Sequence, residues 1–269
     1  MRSPALPVPR LPENACLLLD FDGTLIEFAA TPAAIRVPPA LLSLLDALRT
    51  TLDGALAIVT GRALEDIDHH LAPLQLPAAA LHGMVRRDGE GRVSCTSSAA
   101  SFAAQAARIR QRLLAWVTAF PGLLLEDKGL ALALHFRGYQ GNAAQLHALM
   151  SELRSLLSPD MELLQGELVV EVRPRGSDKG TAVEAFLAEA PFKGRVPVYL
   201  GDDLGDLPAM TAVKSHGGMA IAVGERIAAP WQLRTPADAR TWLGEVLAER
   251  LVKSRSDSSD DRFAGRQQQ

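Results

Sequence analysis

Ala15-Cys16-Leu17-Leu18-Leu19 is a continuous apolar run, the pattern of a strand buried on both faces inside a parallel sheet. Leu41, Leu42, Leu44, Leu45 and Leu48 then recur at helical spacing and predict a helix over residues 38–50 with a wide apolar face. Residues 54–59 form a second buried run, residues 63–71 a short helix, and residues 78–81 a third strand. Strands alternating with helices in this way predict an α/β fold with a doubly wound, parallel, Rossmann-like sheet.

From about Arg87 the pattern changes. Residues 105–120 read as a helix, 123–125 and 131–136 as strands, and 142–157 as a second helix between Gly141-Asn142 and the stop at Ser158-Pro159. Residues 161–164 and 168–172 are two further strands, bent around Gln165-Gly166. The order αββαββ predicts an inserted α+β module, one four-stranded sheet with both helices on one face. Over residues 131–137 the large apolar side chains are even-numbered, so His135 and Arg137 point away from the helices. Leu168, Val170 and Val172 follow the same rule, which gathers Glu167, Glu171 and Arg173 on the polar face. Periodicity alone assigns such a face to solvent.

The parallel pattern resumes with a helix from Lys179 to residue 190, strands over 196–200 and 219–223, and a closing helix over 237–252. The expected organisation is an extended lead over residues 1–14, a core over 15–96 and 173–253, an inserted cap over 97–172, and a disordered polar tail over 254–269.

A chain of 269 residues, 48% hydrophobic and 22% charged, has the composition of a globular protein with ample core. Its net charge of −3 gives no electrostatic reason to expect nucleic acid or an anionic membrane as partner. No apolar run reaches the roughly 18 residues that span a bilayer. The proline-bearing lead has no secretory apolar core. Cys16 lies inside a buried run and Cys95 is the other cysteine, so no disulfide is expected and the chain reads as cytoplasmic.

Candidate chemistry gathers where strands end, the usual ligand edge of an open α/β sheet. Asp20 and Asp22 follow the first strand, and two acids so close repel unless a hard cation such as Mg2+ lies between them. Thr60 follows the second strand just before a helix, where free amides attract phosphate oxygens; its alternative is a helix N-cap. Lys179 falls in the first turn of a helix, where a cation opposes the helix dipole, a conflict that a nearby phosphate would resolve. Asp202, Asp203 and Asp206 crowd the end of a later strand and require a cation or Lys179 to offset them.

Asp20-Phe21-Asp22-Gly23-Thr24-Leu25, Thr60, Lys179 and Gly201-Asp202-Asp203, taken in order, resemble the motif set of the haloacid dehalogenase superfamily. Residues 81–83, 125–137 and 170–180, with Ala190-Pro191-Phe192 and Gly217-Gly218-Met219, extend the likeness to the bacterial trehalose-6-phosphate phosphatases. The resemblance implies that Asp20 is the nucleophile and Asp22 the general acid and base. Thr60 and Lys179 would hold phosphoryl oxygens, and Mg2+ would sit on Asp20, the Asp22 backbone carbonyl and Asp202, with Asp203 and Asp206 behind them. Gly61, Arg62, His82, Gly83, Glu126, Lys128, His135, Arg137 and Glu171 would contact the substrate, trehalose 6-phosphate; for His82, a capped buried histidine is the alternative. A functional coupling to a trehalose-6-phosphate synthase follows from the same likeness. The chain departs from the family at Gly205 and Leu207, which replace an acidic element, and at Glu167, which reverses a charge. The rival readings are a phosphatase for another sugar phosphate and a catalytically silent sugar-phosphate-binding subunit.

Overall fold

The computed structural model describes residues 8–29, 34–96, 98–166 and 168–264. In chain order its first elements are β1 (Ala15–Leu19), α1 (Pro39–Thr51), β2 (Leu56–Val59), α2 (Leu64–Leu71), β3 (Ala78–Ala80), β4 (Val85–Arg87) and β5 (Val93–Cys95). Next come α3 (Ser98–Ala119), β6 (Leu124–Asp127), β7 (Leu132–His135), α4 (Ala143–Leu156), β8 (Met161–Gln165) and β9 (Val169–Pro174). The chain then forms α5 (Lys179–Leu187), β10 (Val196–Gly201), α6 (Leu207–Ser215), β11 (Met219–Val223), β12 (Trp231–Leu233) and α7 (Pro236–Ala264).

Two sheets result. The larger has the order β12-β11-β10-β1-β2-β3-β4-β5, parallel from β12 to β3 and antiparallel at its last two strands. β1 lies in its middle, wholly buried, as a strand of Ala, Cys and Leu between two helical layers must be. Leu19 is in register with Leu200 of β10 and with Ile58 of β2. That alignment ends the three strands together, so Asp20, Thr60 and Asp202 leave the sheet along one edge. The smaller sheet is antiparallel with the order β6-β7-β9-β8. Its even-numbered Leu132, Leu134, Val170 and Val172 pack against Phe102, Ile109, Leu113 and Trp116 of α3 and Leu149 and Leu153 of α4. Both helices therefore share one face, which leaves the odd-numbered residues of β7 and β9 on the other.

Several elements differ from the sequence reading. β4 and β5 form an edge hairpin that was not expected; their Arg-rich and Ser-containing triplets carry no clear alternation. α3 begins at Ser98 because Ala-rich residues continue the helix toward its start. α6 and β12 were also not expected. α7 continues to Ala264, through residues read as a disordered tail, and neither proline nor glycine interrupts the chain between Lys253 and Ala264. Residues 1–7 of the lead and 265–269 of the tail lie outside the described residues, as does Glu167. Among the described residues no helix is long and apolar enough to cross a membrane.

Asn142 caps α4 through a reciprocal box: its side chain accepts from Gln145 N at 2.8 Å, and its own N–H donates to Gln145 Oε1 at 3.3 Å. Asn142→Ala should therefore cost about 1 kcal/mol, read as a lowered urea midpoint by far-UV circular dichroism. An unmoved midpoint would mean that packing of Leu149 and Leu153 alone holds the helix.

Candidate active site

Asp178 is the N-cap of α5, accepting from Thr181 N, and this places Lys179 at the first helical position with its side chain buried. Lys179 Nζ donates to Asp20 Oδ1 at 2.6 Å and to Asp206 Oδ1 at 2.7 Å. The unfavourable position of a cation in a first turn is thus offset by two carboxylates, and no phosphate is required for it. Asp206, 0% exposed, also accepts from the Tyr199 hydroxyl at 2.6 Å and from the backbone N–H groups of Asp202 and Asp203 at 2.9 and 3.1 Å. Every acceptor direction of Asp206 is therefore engaged without the acidic element that Gly205 and Leu207 replace. Gly205 N donates to Asp203 Oδ1 instead, and the exposed Leu207 begins α6.

Burial works against charge on Asp206, but Lys179 and the donors around it outweigh burial and hold this carboxyl below its usual range. Asp20 goes the other way: burial, then the neighbouring Asp206, push it well above that range, with Lys179 opposing. Burial and Asp203 push Asp202 up to about 7. The site is short of positive charge.

One oxygen each of Asp20, Asp202 and Asp206 lies within 4.8 Å of the others. An all-carboxylate donor set of this size suits a hard divalent ion such as Mg2+. Asp206 is saturated by its own donors, so Asp20 and Asp202 are the members with lone pairs to give. The Asp22 carboxylate is not one of this set, because both its oxygens are taken by Arg62. Gly23 keeps the place open: at φ +79° it adopts a conformation that suits glycine, and a Cβ there would stand 2.5 Å from Asp202 Oδ2.

Asp22 is held by Arg62, whose Nε and Nη2 reach its two carboxylate oxygens at 2.6 and 2.8 Å while Nη1 pairs with Asp66. Thr60 accepts from Arg62 N at 3.2 Å and is not the cap of α2, whose N-cap is Ala63. Gly61 has no room for a side chain, because a Cβ would meet His82 Nε2 at 2.6 Å. Gly83, at φ +96°, lets the backbone of Asp178 approach, and so seats the turn after β3 against the start of α5.

The two sheets meet at this point. Lys128 Nζ, just past β6, donates to Gly61 O at 3.1 Å and to Glu171 Oε2 at 2.7 Å. Glu171 Oε1 lies 3.4 Å from His82 Nε2 and makes no hydrogen bond of its own. His135 pairs with Glu126 at 2.8 Å, whereas Arg137 is exposed beyond the end of β7. The polar face of the small sheet is therefore largely turned toward the core, and Glu171 is buried: the solvent assignment from periodicity is overturned. Arg173 pairs with Glu162. Sequence reasoning missed Tyr199 as a ligand of Asp206 and missed the Arg62–Asp22 pair; a tyrosine two residues before a strand-end Gly-Asp was the available signal for the first.

A family model described as Trehalose-phosphatase matches residues 18–233 of the chain. A probable trehalose-phosphate phosphatase of Sinorhizobium fredii is 39% identical over 240 residues, 89% of each chain. The trehalose-6-phosphate phosphatase of Escherichia coli is 36% identical over 262 residues, 97% of each. Among solved structures, a trehalose-6-phosphate phosphatase related protein superposes with a TM-score of 0.76 at 27% identity, covering 88% of this chain and 99% of that one.

Burial pushes the His82 imidazole down to about 3, with Glu171 opposing, so it is neutral at pH 7. An unfolded histidine binds its proton below about 6.5. Between those values the unfolded chain holds the extra proton, and stability falls as pH drops, by up to about 1.4 kcal/mol per unit from this group. Denaturant melts of the wild type and His82→Gln between pH 7 and 5 should therefore converge as pH falls. A constant gap would mean that His82 titrates as an ordinary exposed histidine.

Proposed function

Because the chain belongs to the trehalose-phosphatase family, we propose that it hydrolyses trehalose 6-phosphate to trehalose and inorganic phosphate, through an aspartyl-phosphate on Asp20 and with Mg2+ as its cation. It is a phosphatase of the haloacid dehalogenase fold. The observation that carries the mechanism is a buried carboxylate, Asp20, held 2.6 Å from the Lys179 ammonium at the carboxyl edge of the central strand. In this reading it works in the cytoplasm and consumes the product of a trehalose-6-phosphate synthase.

Asp20 attacks phosphorus in line; an O–P bond forms to its carboxylate as the P–O bond to the sugar breaks. Lys179 and the Thr60 hydroxyl donate to the phosphoryl oxygens. Asp22 gives its proton to the departing sugar oxygen, then takes one from the water that attacks the acyl-phosphate and restores the Asp20 carboxylate. Arg62 holds both Asp22 oxygens, so it orients the carboxyl and must loosen one contact at each transfer. Asp20, Asp202 and the Asp22 carbonyl would hold Mg2+, which would supply charge neutralisation for the acids and the phosphoryl group. Glu126, Lys128, His135, Arg137 and Glu171, with Gly61, His82 and Gly83 below, form the sugar side of the cleft.

Asp20→Asn should abolish phosphate release with the fold intact, since an amide cannot form the acyl-phosphate; steady turnover in that variant would sink the nucleophile assignment. Stripping metal with EDTA should stop phosphate release and added Mg2+ should restore it, whereas full activity in excess chelator would remove the cation from the mechanism. Lys128→Ala and Arg137→Ala should each lose roughly 1–3 kcal/mol in kcat/KM for trehalose 6-phosphate and leave a small aryl phosphate nearly untouched. Equal losses on both substrates would assign these residues to the core site or to folding. A panel of other sugar phosphates, assayed in parallel, separates this substrate from its rivals.

A further inference from the structure

Arg226 stands in the loop between β11 and β12, on the same sheet edge as the acids. Its guanidinium carbon lies 4.5 Å from the centroid of the Phe28 ring, and its Nη1 lies 3.5 Å from Asp202 Oδ2. The Phe28 ring rests on the turn after Asp22, where a Cβ on Gly23 would meet Phe28 Cε2 and Asp202 Oδ2 at 2.5 Å alike. Phe28 is 51% exposed and the Arg226 side chain 42%. A half-exposed cation stacked on an exposed ring thus lies against a buried acid. The other oxygen of Asp202, Oδ1, accepts from the Thr24 hydroxyl at 3.5 Å.

We propose that Arg226 is the resident counter-cation of Asp202: it offsets that acid when no divalent ion is bound, yields Oδ2 when one arrives, and so sets the affinity of the site for its cation. The proposal rests on the metal reading above. Lys179 is shared between Asp20 and Asp206, which leaves Asp202 dependent on a charge from outside the helix. A half-exposed ion pair at 3.5 Å is weak and easily exchanged. The face of Phe28 holds the released guanidinium nearby by cation–π attraction, rather than letting it diffuse into solvent. A guanidinium kept this close repels a divalent ion, so Arg226 weakens metal binding in the resting protein and guards against adventitious occupation.

The test is calorimetric titration of Mg2+ alone, and of Mn2+ alone, into the metal-stripped full chain without substrate. Arg226→Gln should bind Mg2+ about tenfold more tightly in low salt, the scale of one charge repelling a divalent ion across a wet site. The gap should shrink to under about threefold near 0.5 M salt. Phe28→Leu, which removes the ring that parks the guanidinium, should tighten binding by a smaller factor. Unchanged or weaker binding in Arg226→Gln overturns the assignment, the weaker result meaning that Arg226 positions Asp202 as a ligand. Asp202→Asn isolates the premise: if it binds Mg2+ as the wild type does, the metal reading itself fails, and the counter-cation role fails with it.

Discussion

Lys179 is the group on which the site depends. Its ammonium bridges Asp20 and Asp206 in surroundings from which water is nearly absent, with side-chain exposures of 5%, 5% and 0%. Charges so placed are tolerable only together, because removing one partner of a buried pair strands the other at a cost of about 3–5 kcal/mol. The same bridge joins three separate pieces of chain: the end of β1, the start of α5 and the turn after β10. Each piece is anchored in turn by its own backbone, through the central strand register, the Asp178 cap and the amides that Asp206 collects. The close pairing of a buried Asp20 with Lys179 is therefore a by-product of an arrangement that the fold already needs.

The smaller sheet is tied to this arrangement by one carbonyl. Gly61 O accepts from Lys128, and Gly61 sits between Thr60, at the strand edge, and Arg62, which holds Asp22. Burial opposes charge on Lys128 and Glu171, yet each stabilises the other: the lysine is held above its ordinary range and the carboxyl below it. A polar group entering here would meet preformed, desolvated charges rather than hydrated ones, which favours directional recognition over simple stickiness.

Much of this was legible in the chain. The buried runs at 15–19, 54–59 and 196–200 mark the central strands, because a strand covered on both faces must be apolar throughout. The acids and Thr60 were legible as candidates because they interrupt that pattern at strand ends, and the structure gathers them along one edge. Short edge pieces were not: β4, β5 and β12 have three residues each, too few for a period to show. Nor was the fate of the small sheet's polar face, since alternation tells which residues share a side and not what lies opposite. The Arg62–Asp22 and Arg226–Asp202 pairs come from loops, 40 and 24 positions apart, and no local pattern announces them.

The position of β1 also bears on how the protein is born. Its neighbour on one side, β10, arrives some 180 residues later in the chain, whereas α3, α4 and the four strands of the small sheet are all contained between Ser98 and Pro174. Contacts close in sequence form early and distant ones late, and domains complete themselves as they leave the ribosome. The inserted module can thus fold while β1 still lacks half of its partners. Asp202 and Asp206 join last, so a nascent or truncated chain holds Asp20 without the acids and the strand that complete its charge cluster, and the cluster is not assembled until synthesis is nearly complete.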